Sequence, residues 1–441
     1  MSTKHPTRAA IESIQLEQLR SLLAELFPAN KFYTRKLTDV GVTFDVASLE
    51  DFSARFPFTT KSELVEDQLR HAPFGTNLTY PLNRYTRFHQ TSGTTGAPLR
   101  WLDTPESWDW MLESWMKIFR EAGVRADDRV YFAFSFGPFL GFWTAFESAA
   151  RLGCLCIPGG GLSSAARLRA MLDNNATVLC CTPTYALRMA EVARQEKIDL
   201  SAGSVKRIIV AGEPGGSVPA TKARLHSLWP GAQVFDHHGL TETGPVSYEC
   251  PARPGVLHVI ETAYYAEVID PANGRPVSRG SAGELVLTTL GRVGSPLLRY
   301  RTGDLVKPDF NSPTPDPTQE GNCNPACKCG RHDLALEGGI LGRVDDMIIV
   351  RGVNIYPAAV EEIVRSSRGV VEYRACVSNN GQMTELRIEI ETATDCADSR
   401  AVAVRLEKRF YDALSLRVPV TVVAPGALPR FEMKAHRWVK D

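Results

Sequence analysis

The sequence predicts an α/β protein with a large N-terminal α/β domain, which carries a β subdomain, and a small α+β C-terminal domain. Three observations predict this: short apolar runs alternate with helical patterns in the middle of the chain, strand patterns follow from Ala266, and the composition changes again after Gly342. A chain of 441 residues also exceeds the size at which one core usually stops growing. We expect domains at residues 1–344 and 345–441.

An amphipathic helix opens the chain and ends before Pro28, with apolar positions at Leu16, Leu19, Leu23 and Leu26. The middle of the chain then predicts a largely parallel sheet. Buried strands are expected at residues 130–136, 176–181, 205–210 and 232–235, and helices at 142–152, 164–172 and 184–195. Ligands of such sheets bind beyond the carboxyl ends of the strands, so site residues are expected there.

The later part of the chain predicts strands first and a mixed domain after them. Strand patterns at residues 266–270 and 283–290 are separated by turn residues and predict the β subdomain. Residues 311–324 are rich in Pro and Asn and predict a loop. The C-terminal domain is expected to hold a strand at 347–350, a helix at about 357–367, two strands around an Asn-Gly turn at 380–381, and a helix at 399–414.

The composition excludes several classes of partner. The 50 basic and 50 acidic side chains cancel, so no net field argues for nucleic acid or an anionic membrane. The first ten residues are polar and basic, and no run approaches the roughly 18 apolar residues of a membrane span. We expect a soluble cytoplasmic protein whose ten cysteines are core residues, metal ligands or reactive thiols. The oligomeric state is open, with a homodimer as one alternative.

A loop with the sequence TSGTTG is suited to binding phosphate. It consists of Thr91, Ser92, Gly93, Thr94, Thr95 and Gly96. The glycines let backbone N–H groups point inward, and the hydroxyls add donors without charge. A solvated turn is the alternative interpretation of such a run. A Walker loop is excluded, because no Gly-Lys-Ser/Thr follows.

Four further motifs stand out, each with an alternative interpretation. They are DHHGLTETG at 236–244, RYRTGD at 299–304, GRVDD at 342–346, and Lys434. Taken singly, Arg343 and Asp345 fit a surface ion pair. Glu242 fits a helix-start carboxylate and Asp304 a turn residue, while Lys434 fits one solvated lysine among many.

Together and in this order, the motifs make the chain resemble the adenylate-forming superfamily, and within it the phenylacetate–coenzyme A ligase family of aryl-CoA ligases. The resemblance spans nearly the whole chain and includes FGPFLGFW, CTPTYALRMAE, GRVDDMIIVRGVNIYP and LPRFEMKAH. It implies a small C-terminal domain that rotates, and two half-reactions. A carboxylic acid and ATP give an acyl-AMP and pyrophosphate, and the thiol of coenzyme A then gives the thioester.

The resemblance also implies a role for each motif. Residues 91–96 would hold the β- and γ-phosphates, Glu242 would ligate Mg²⁺, and Asp304 would accept hydrogen bonds from the ribose. Arg343 would reach the ribose or a phosphate, and Lys434 would bridge the carboxylate and the α-phosphate. The nucleotide site is further expected to include Gly212, Glu213, Pro214, Asp236, His237, His238, Gly239 and Thr241.

Asp345 matches the hinge position of the family. Rotation about it would withdraw Lys434 and bring residues 351–355 to the thiol channel. The alternative for Asp345 is a helix-flanking acid.

Two positions depart from the resemblance. The superfamily usually has a lysine shortly after its Gly-rich loop, whereas this chain has Pro98-Leu99-Arg100. The family usually has Tyr where His238 stands. A histidine pair at 237–238 can bond to an amino or hydroxyl substituent or to the carboxylate, and can change charge near neutral pH. The alternative is that His238 stacks on adenine as Tyr would.

The substrate pocket is expected to be lined by aromatic rings and by the nucleotide motifs. Its predicted members are Phe136, Phe139, Gly212, His238 and Gly239. Phe134 is expected to belong to the core instead. Because of His238, we expect an aminobenzoate or a hydroxybenzoate rather than phenylacetate.

A separate set of cysteines and a histidine predicts a structural zinc site. Cys327 and Cys329 form a tight thiolate hook, and Cys250 and His258 complete a tetrahedral set of preferred ligands. Cys323 could substitute for one of them. With four protein ligands the zinc would be structural and not catalytic.

The sequence therefore predicts an AMP-forming acid–thiol ligase that uses ATP, Mg²⁺, a small aromatic acid and coenzyme A. A stand-alone adenylation enzyme that loads a carrier-protein phosphopantetheine is an alternative. A non-catalytic nucleotide-binding module is another, but it should have lost Lys434, Glu242 or Asp304, and all three are present. A dehydrogenase or kinase lacks support, since the chain has neither a dinucleotide fingerprint nor a Walker loop.

Overall fold

The computed structural model describes residues 5–91, 98–278, 280–309, 327–346, 348–350, 353–379, 384–394, 396–431 and 435–440. The first elements are α1 (Arg8–Leu26), α2 (Lys31–Asp39), α3 (Leu49–Arg55), α4 (Lys61–Arg70), β1 (Arg87–Gln90), β2 (Arg100–Asp103), α5 (Pro105–Glu121), β3 (Arg129–Phe132), α6 (Leu140–Leu152) and β4 (Leu155–Pro158). They are followed by α7 (Ser164–Asp173), β5 (Val178–Cys181), α8 (Pro183–Gln195), β6 (Arg207–Val210), α9 (Pro219–Leu228) and β7 (Gln233–Asp236).

The second half of the chain is richer in strands. It contains β8 (Gly239–Leu240), β9 (Gly244–Pro245), β10 (Ser247–Glu249), β11 (Val256–Val259), β12 (Tyr264–Ile269), β13 (Gly283–Thr289), β14 (Tyr300–Pro308) and β15 (Ala335–Arg343). It ends with β16 (Ile348–Val350), β17 (Val353–Ile355), α10 (Pro357–Arg365), β18 (Val370–Asn379), β19 (Thr384–Thr392), α11 (Ser399–Leu414), β20 (Val420–Val422) and β21 (Trp438–Lys440). Among the described helices, none has the length and apolar character needed to cross a membrane.

The chain divides into two compact units, each made of two stretches. The first unit contains residues 1–161 and 235–339, and the second contains residues 162–234 and 340–441. The boundary expected between residues 344 and 345 stays a prediction.

A six-stranded sheet organises the first unit, in the order β10-β11-β15-β14-β13-β12. The pairs β12/β13 and β13/β14 are antiparallel, as are β10/β11 and β11/β15. Every residue of β13 is buried, so both faces of the sheet are covered there. The strand patterns expected at 266–270 and 283–290 are confirmed as β12 and β13.

Helices at the start of the chain complete the core of the first unit. The side chain of Thr7 accepts a hydrogen bond from Ala10 N and so begins α1, which ends at Leu26 as the leucine spacing predicts. Leu19, Leu23 and Leu26 are buried in one cluster with Tyr300 of β14. The opening helix thus shares a hydrophobic core with the strand that carries the RYRTGD motif.

The predicted alternation of strands and helices is confirmed. In the first unit β3 and β4 pair in parallel with α6 between them in the sequence, and in the second β5 and β6 pair in parallel with α8 between them. The strand expected at 130–136 is shorter, because Phe134 N donates to Phe132 O at 2.9 Å and the chain turns there. Phe134, Phe136 and Phe139 therefore lie in the segment between β3 and α6.

The last part of the second unit has a four-stranded sheet of its own. Its order is β20-β19-β18-β21, with β18/β19 antiparallel and the two outer pairs parallel. Val360 and Val364 of α10 and Leu406 and Phe410 of α11 are buried in its core. The predicted helix at 399–414 is confirmed with the same bounds, and the one at 357–367 ends at Arg365.

Candidate active site

The predicted phosphate loop connects β1 and β2. Ser92, Gly93, Thr94, Thr95 and Gly96 lie outside the described residues, while Thr91 is described and buried. Thr91 N donates to Leu99 O, and Leu99 N donates to Thr91 Oγ1, both at 3.0 Å. These two bonds join the ends of the loop to each other.

His238 and Asp304 lie side by side in the first unit. His238 Nε2 is 2.9 Å from Asp304 Oδ2, and both side chains are buried. The backbone of His238 is held on both sides, because its N donates to Ser247 Oγ at 3.1 Å and its carbonyl accepts from Val246 N at 2.8 Å. The imidazole thus lies at the carboxylate that is expected to bind a ribose.

His237 is enclosed by apolar surroundings instead. Its ring meets the ring of Trp115 edge-on, with centroids 4.3 Å apart. Burial, and then the neighbouring His238, lower the pKa of His237 to about 3. His237 is therefore neutral at physiological pH, so the expectation that it changes charge near neutral pH is wrong.

Glu242 is a buried carboxylate with two polar neighbours. Lys61 Nζ is 3.1 Å from Glu242 Oε1, and the hydroxyl of Tyr300 donates to the same oxygen at 3.4 Å. The side chain of Glu242 is 6% exposed, whereas that of Lys61 is 43% exposed. A buried oxygen ligand beside a cation suits Glu242 to the chemistry of a divalent ion and phosphate.

Arg292 supports the backbone at Glu242 from inside the core. It donates from Nη1 to Thr241 O at 2.9 Å and to Glu242 O at 2.7 Å. It also makes two 2.7 Å bonds to Asp103, and neither side chain of this pair is exposed. Burial raises the pKa of Asp103, but Arg292 and His89 together outweigh it, so this pKa lies below its ordinary value. The sequence analysis missed both Lys61 and Arg292, since their contacts join distant parts of the chain.

The aromatic residues expected in the substrate pocket lie between β3 and α6. Phe136 is half-buried, with ring centroids 4.6 Å from Trp143 and 5.3 Å from Phe146. Phe139 directly precedes α6 and is 37% exposed. Phe134 is 4% exposed and belongs to the core, as predicted. The role of Phe136 and Phe139 in a pocket stays a prediction.

In the second unit, Glu213 connects the start of α8 with the end of the chain. Its two carboxylate oxygens accept from Thr184 N at 2.8 Å and from Ala435 N at 2.7 Å. Lys434 lies outside the described residues, but the residue after it is thus fixed by Glu213. The preceding Gly212 has a φ of 94°, which favours glycine at this turn.

Arg343 and Asp345 lie in the second unit, where β15 ends in a turn. Arg343 Nε is 3.2 Å from Asp345 Oδ1, and both side chains are partly exposed. The surface ion pair that the sequence allows is therefore present. Binding of nucleotide by Arg343 and a hinge at Asp345 stay predictions.

The predicted zinc ligands come together in the first unit. One ligand atom from each of Cys250, His258, Cys327 and Cys329 lies within 4.8 Å of all the others. Cys250 Sγ and Cys327 Sγ are 3.7 Å apart, and Cys329 Sγ is 3.4 Å from His258 Nε2. His258 Nδ1 is 3.2 Å from Asp333 O, which orients Nε2 towards the thiols.

The segment that precedes Cys327 is also anchored where it begins. Arg253 forms an ion pair with Asp309, and Asp309 N donates to Ala335 O at 2.8 Å. Residues 310–326, which include Cys323, lie outside the described part of the chain.

Comparisons with known proteins show what the chain is similar to. The AMP-binding enzyme family matches residues 88–291, and the AMP-binding enzyme C-terminal domain matches residues 352–441. The chain is 31% identical to phenylacetate-coenzyme A ligase of Thermus thermophilus, over 98% of this chain and 97% of that protein. It is 30% identical to phenylacetate-coenzyme A ligase of Pseudomonas putida, over 97% and 93%. A crystal structure of 2-hydroxyisobutyryl-CoA ligase in the postadenylation state in complex with R3-HIB-AMP has a TM-score of 0.90 and 29% identity, over 99% of this chain and 91% of that one.

Proposed function

The chain belongs to the phenylacetate-coenzyme A ligase family of AMP-binding enzymes, and we propose that it activates an aromatic carboxylic acid through the residues described above. It is an AMP-forming acid–CoA ligase, which uses ATP to make an acyl-adenylate and then transfers the acyl group to coenzyme A. The identity of the acid and the roles of the residues are the proposal.

One observation supports the assignment of residues above all: β14 contacts the DHHGLTE motif at two positions. Tyr300, at the start of this strand, reaches Glu242, and Asp304, four residues later, reaches His238. Between these two residues the pairing of β14 with β13 is irregular and Gly303 has a φ of 75°, so a β-bulge places the two side chains. One strand thereby contacts both His238 and Glu242, which supports the proposal that Asp304 and Glu242 bind one nucleotide.

Adenylation brings two anions together, so the site has to supply donors and counter-charge. In the proposal Asp304 accepts hydrogen bonds from the ribose hydroxyls, and His238 fixes the orientation of that carboxylate. Residues 91–96 donate to the phosphates from a loop whose ends are joined at Thr91 and Leu99. Lys434 approaches the substrate carboxylate and the α-phosphate, on a segment that Glu213 anchors through Ala435 N.

Glu242 is the residue of this set best suited to hold Mg²⁺. Its carboxylate is buried, it lies 3.1 Å from the ammonium group of Lys61, and it offers the oxygen ligands that a hard divalent cation prefers. When bound, the ion would neutralise charge on the phosphate oxygens of ATP. Arg292 would keep Glu242 in place through its bond to the carbonyl of that residue.

We propose further that the C-terminal domain, residues 345–441, rotates about Asp345 between the two half-reactions. Replacing Asp345 by Pro is expected to spare formation of the acyl-adenylate and to slow formation of the thioester. Single-turnover assays of each half-reaction measure this. Equal loss in both half-reactions would count against a hinge.

For the acid itself, we propose an aminobenzoate or a hydroxybenzoate. The support is His238, an imidazole at the centre of the site where the family usually has Tyr. Phenylacetate is the competing substrate, since two of the relatives described above are phenylacetate-coenzyme A ligases. Preference for phenylacetate over anthranilate and the hydroxybenzoates in binding assays would remove this part of the proposal.

The experiment that tests the function is acid-dependent ATP–pyrophosphate exchange across benzoates, aminobenzoates, hydroxybenzoates and phenylacetates. Lys434→Ala is the matched variant and is expected to lose about 10²–10³ in rate. Exchange with one acid, lost in the variant, would identify the substrate. Coenzyme A and a carrier protein are then compared as acceptors.

A homodimer and a cytoplasmic location stay predictions. Light scattering would measure the oligomeric state, and cell fractionation would measure the location.

We also propose that Cys250, His258, Cys327 and Cys329 bind a structural zinc ion. Zinc–sulfur bonds of about 2.3 Å in a tetrahedral site place two sulfurs about 3.8 Å apart, and Cys250 and Cys327 have their sulfurs 3.7 Å apart. Metal analysis of protein never exposed to chelator is expected to find one zinc per chain. Cys329→Ser should lower this content, whereas Cys396→Ser, outside the cluster, should not. Much less than one zinc in the unchanged protein would refute the site.

A further inference from the structure

The phosphate loop of this chain has no cation of its own. TSGTTG is uncharged, and the first basic residue after it is Arg100. Arg100 Nη1 donates to Pro73 O at 2.9 Å, and Arg100 N donates to Gln68 Oε1 at 3.0 Å. Arg100 is thus bound to the region at the end of α4. ATP brings several negative charges, so a cation from another part of the chain would stabilise its phosphates beside a bound Mg²⁺ ion.

Lys61 is placed to supply that charge. Its ammonium group is 3.1 Å from the carboxylate of Glu242, which is the proposed ligand of the metal on the phosphates. Unlike Arg292, whose side chain is not exposed, Lys61 has 43% of its side chain exposed. The ammonium group can therefore approach a ligand without first leaving the core.

The backbone before Lys61 is fixed to the strand that carries the RYRTGD motif. Thr59 N donates to Arg299 O at 3.0 Å, and Arg301 N donates to Thr59 O at 2.9 Å. The following residue, Thr60, forms a capping box with Glu63, and α4 begins at Lys61. The position of Lys61 is thus set by the same strand that places Tyr300 against Glu242.

A lysine at this position is electrostatically unfavourable for the helix. The first turn of a helix carries partial positive charge and prefers acidic residues. A cation at the first helical residue is therefore better explained by what it faces, which is Glu242, than by helix stability.

We propose that Lys61 binds the β- and γ-phosphates of ATP and takes the place of the lysine that is missing after the phosphate loop. This inference rests on the proposed function, because it requires ATP at Glu242. In adenylation a carboxylate oxygen of the acid bonds to the α-phosphorus, the bond from that phosphorus to the bridging oxygen breaks, and the electron pair leaves with pyrophosphate. Lys61 stabilises the charge on that leaving group, without proton transfer.

Ligand binding to Lys61→Met separates this role from a general effect on the site. Calorimetry would measure ATP, inorganic pyrophosphate and AMP, each in the presence of Mg²⁺. We expect ATP and pyrophosphate to bind at least 10-fold more weakly to the variant. AMP, which lacks the β- and γ-phosphates, should bind within 2-fold of the unchanged protein.

Kinetics give a second readout. Removal of one charged contact to the leaving group should lower kcat/KM for ATP in pyrophosphate exchange by about 10²-fold, and Lys61→Arg should restore part of it. Thioester formation from a preformed acyl-adenylate and coenzyme A involves no pyrophosphate and should change by less than 3-fold. Lys36→Met is the matched control. Lys36 forms an ion pair with Glu63, which lies in the same helix as Lys61, and it has no ion pair with Glu242 among the described contacts.

The outcomes separate the two proposals. Absence of acid-dependent exchange in the unchanged protein would refute the proposed function. With an active parent, equal losses in Lys61→Met and Lys36→Met would show that Lys61 only supports the helix. Weaker binding of AMP to the same degree as ATP, or unchanged binding of ATP, would also overturn the assignment of Lys61 to the phosphates.

Discussion

Replacing Arg292 by Met should destabilise the first unit and loosen the site together. The substitution leaves Asp103 as a buried carboxylate without its two 2.7 Å bonds. It also removes the donors to the carbonyls of Thr241 and Glu242. The volume of the side chain is largely kept, so the loss concerns charge and hydrogen bonds more than packing.

The size of the effect follows from burial. Neither Arg292 nor Asp103 exposes any side-chain surface, so solvent does not screen the pair. Removing one partner of such a pair costs about 3–5 kcal/mol. Replacing Arg292 by Met and Asp103 by Leu together removes both charges, and leaves the two carbonyls without donors and His89 without the carboxylate 3.8 Å from its Nδ1. The double variant should therefore be more stable than Arg292→Met, by at least about 1 kcal/mol.

Urea unfolding followed by tryptophan fluorescence measures both variants. Trp101 is a local reporter, because its ring lies 5.0 Å from the guanidinium carbon of Arg292. The same Arg292→Met protein should show a raised KM for ATP, since the backbone of Glu242 loses its support. A loss of stability below about 1 kcal/mol, or a double variant less stable than the single one, would refute this reasoning.

Three further predictions concern acid sensitivity and packing. Burial would raise the pKa of Glu372, but Arg365 and Arg437 lower it to about 2. The ionised carboxylate therefore contributes about 3 kcal/mol to the free energy of unfolding above pH 4.5, and this contribution should disappear as the pH falls towards 2. In Glu372→Gln the urea midpoint should depend less on pH in that range. The lowered pKa of His237 should destabilise the fold as the pH falls from 6.5 towards 3, by about 1.4 kcal/mol per pH unit, and His237→Phe should remove this loss. A Cβ at Gly239 would lie 2.7 Å from the carbonyl oxygen of Gly244. Gly239→Ala should therefore lower the free energy of unfolding by about 1–3 kcal/mol and raise the KM for ATP. No change in either quantity would contradict this prediction.

Local patterns in the sequence were sufficient for the elements that bury one regular face. The leucines of α1 and the helix at 399–414 are examples, because their apolar spacing depends only on neighbours in the sequence. The strand after residue 130 ends at Phe132 instead of continuing, since a hydrogen bond from Phe134 N turns the chain. A run of apolar residues does not encode such a turn.

The site was predictable where the chemistry is carried by a short motif. The four cysteine and histidine side chains proposed to bind zinc are close together, as their residue types indicate. Lys61 and Arg292 were not found, because each acts across a large distance in the chain. Nothing in the sequence near Arg292 distinguishes a buried arginine that holds two carbonyls from a solvated one.

The anchoring of residues 310–326 has a practical consequence. One end follows Asp309, which Arg253 holds, and the other meets the cluster at Cys327. Both ends are thus fixed by partners outside the segment. Doubling the length of a flexible replacement would cost about 0.6 kcal/mol in closure entropy. A peptide tag inserted between Asp309 and Cys327 should therefore leave the stability of the first unit nearly unchanged.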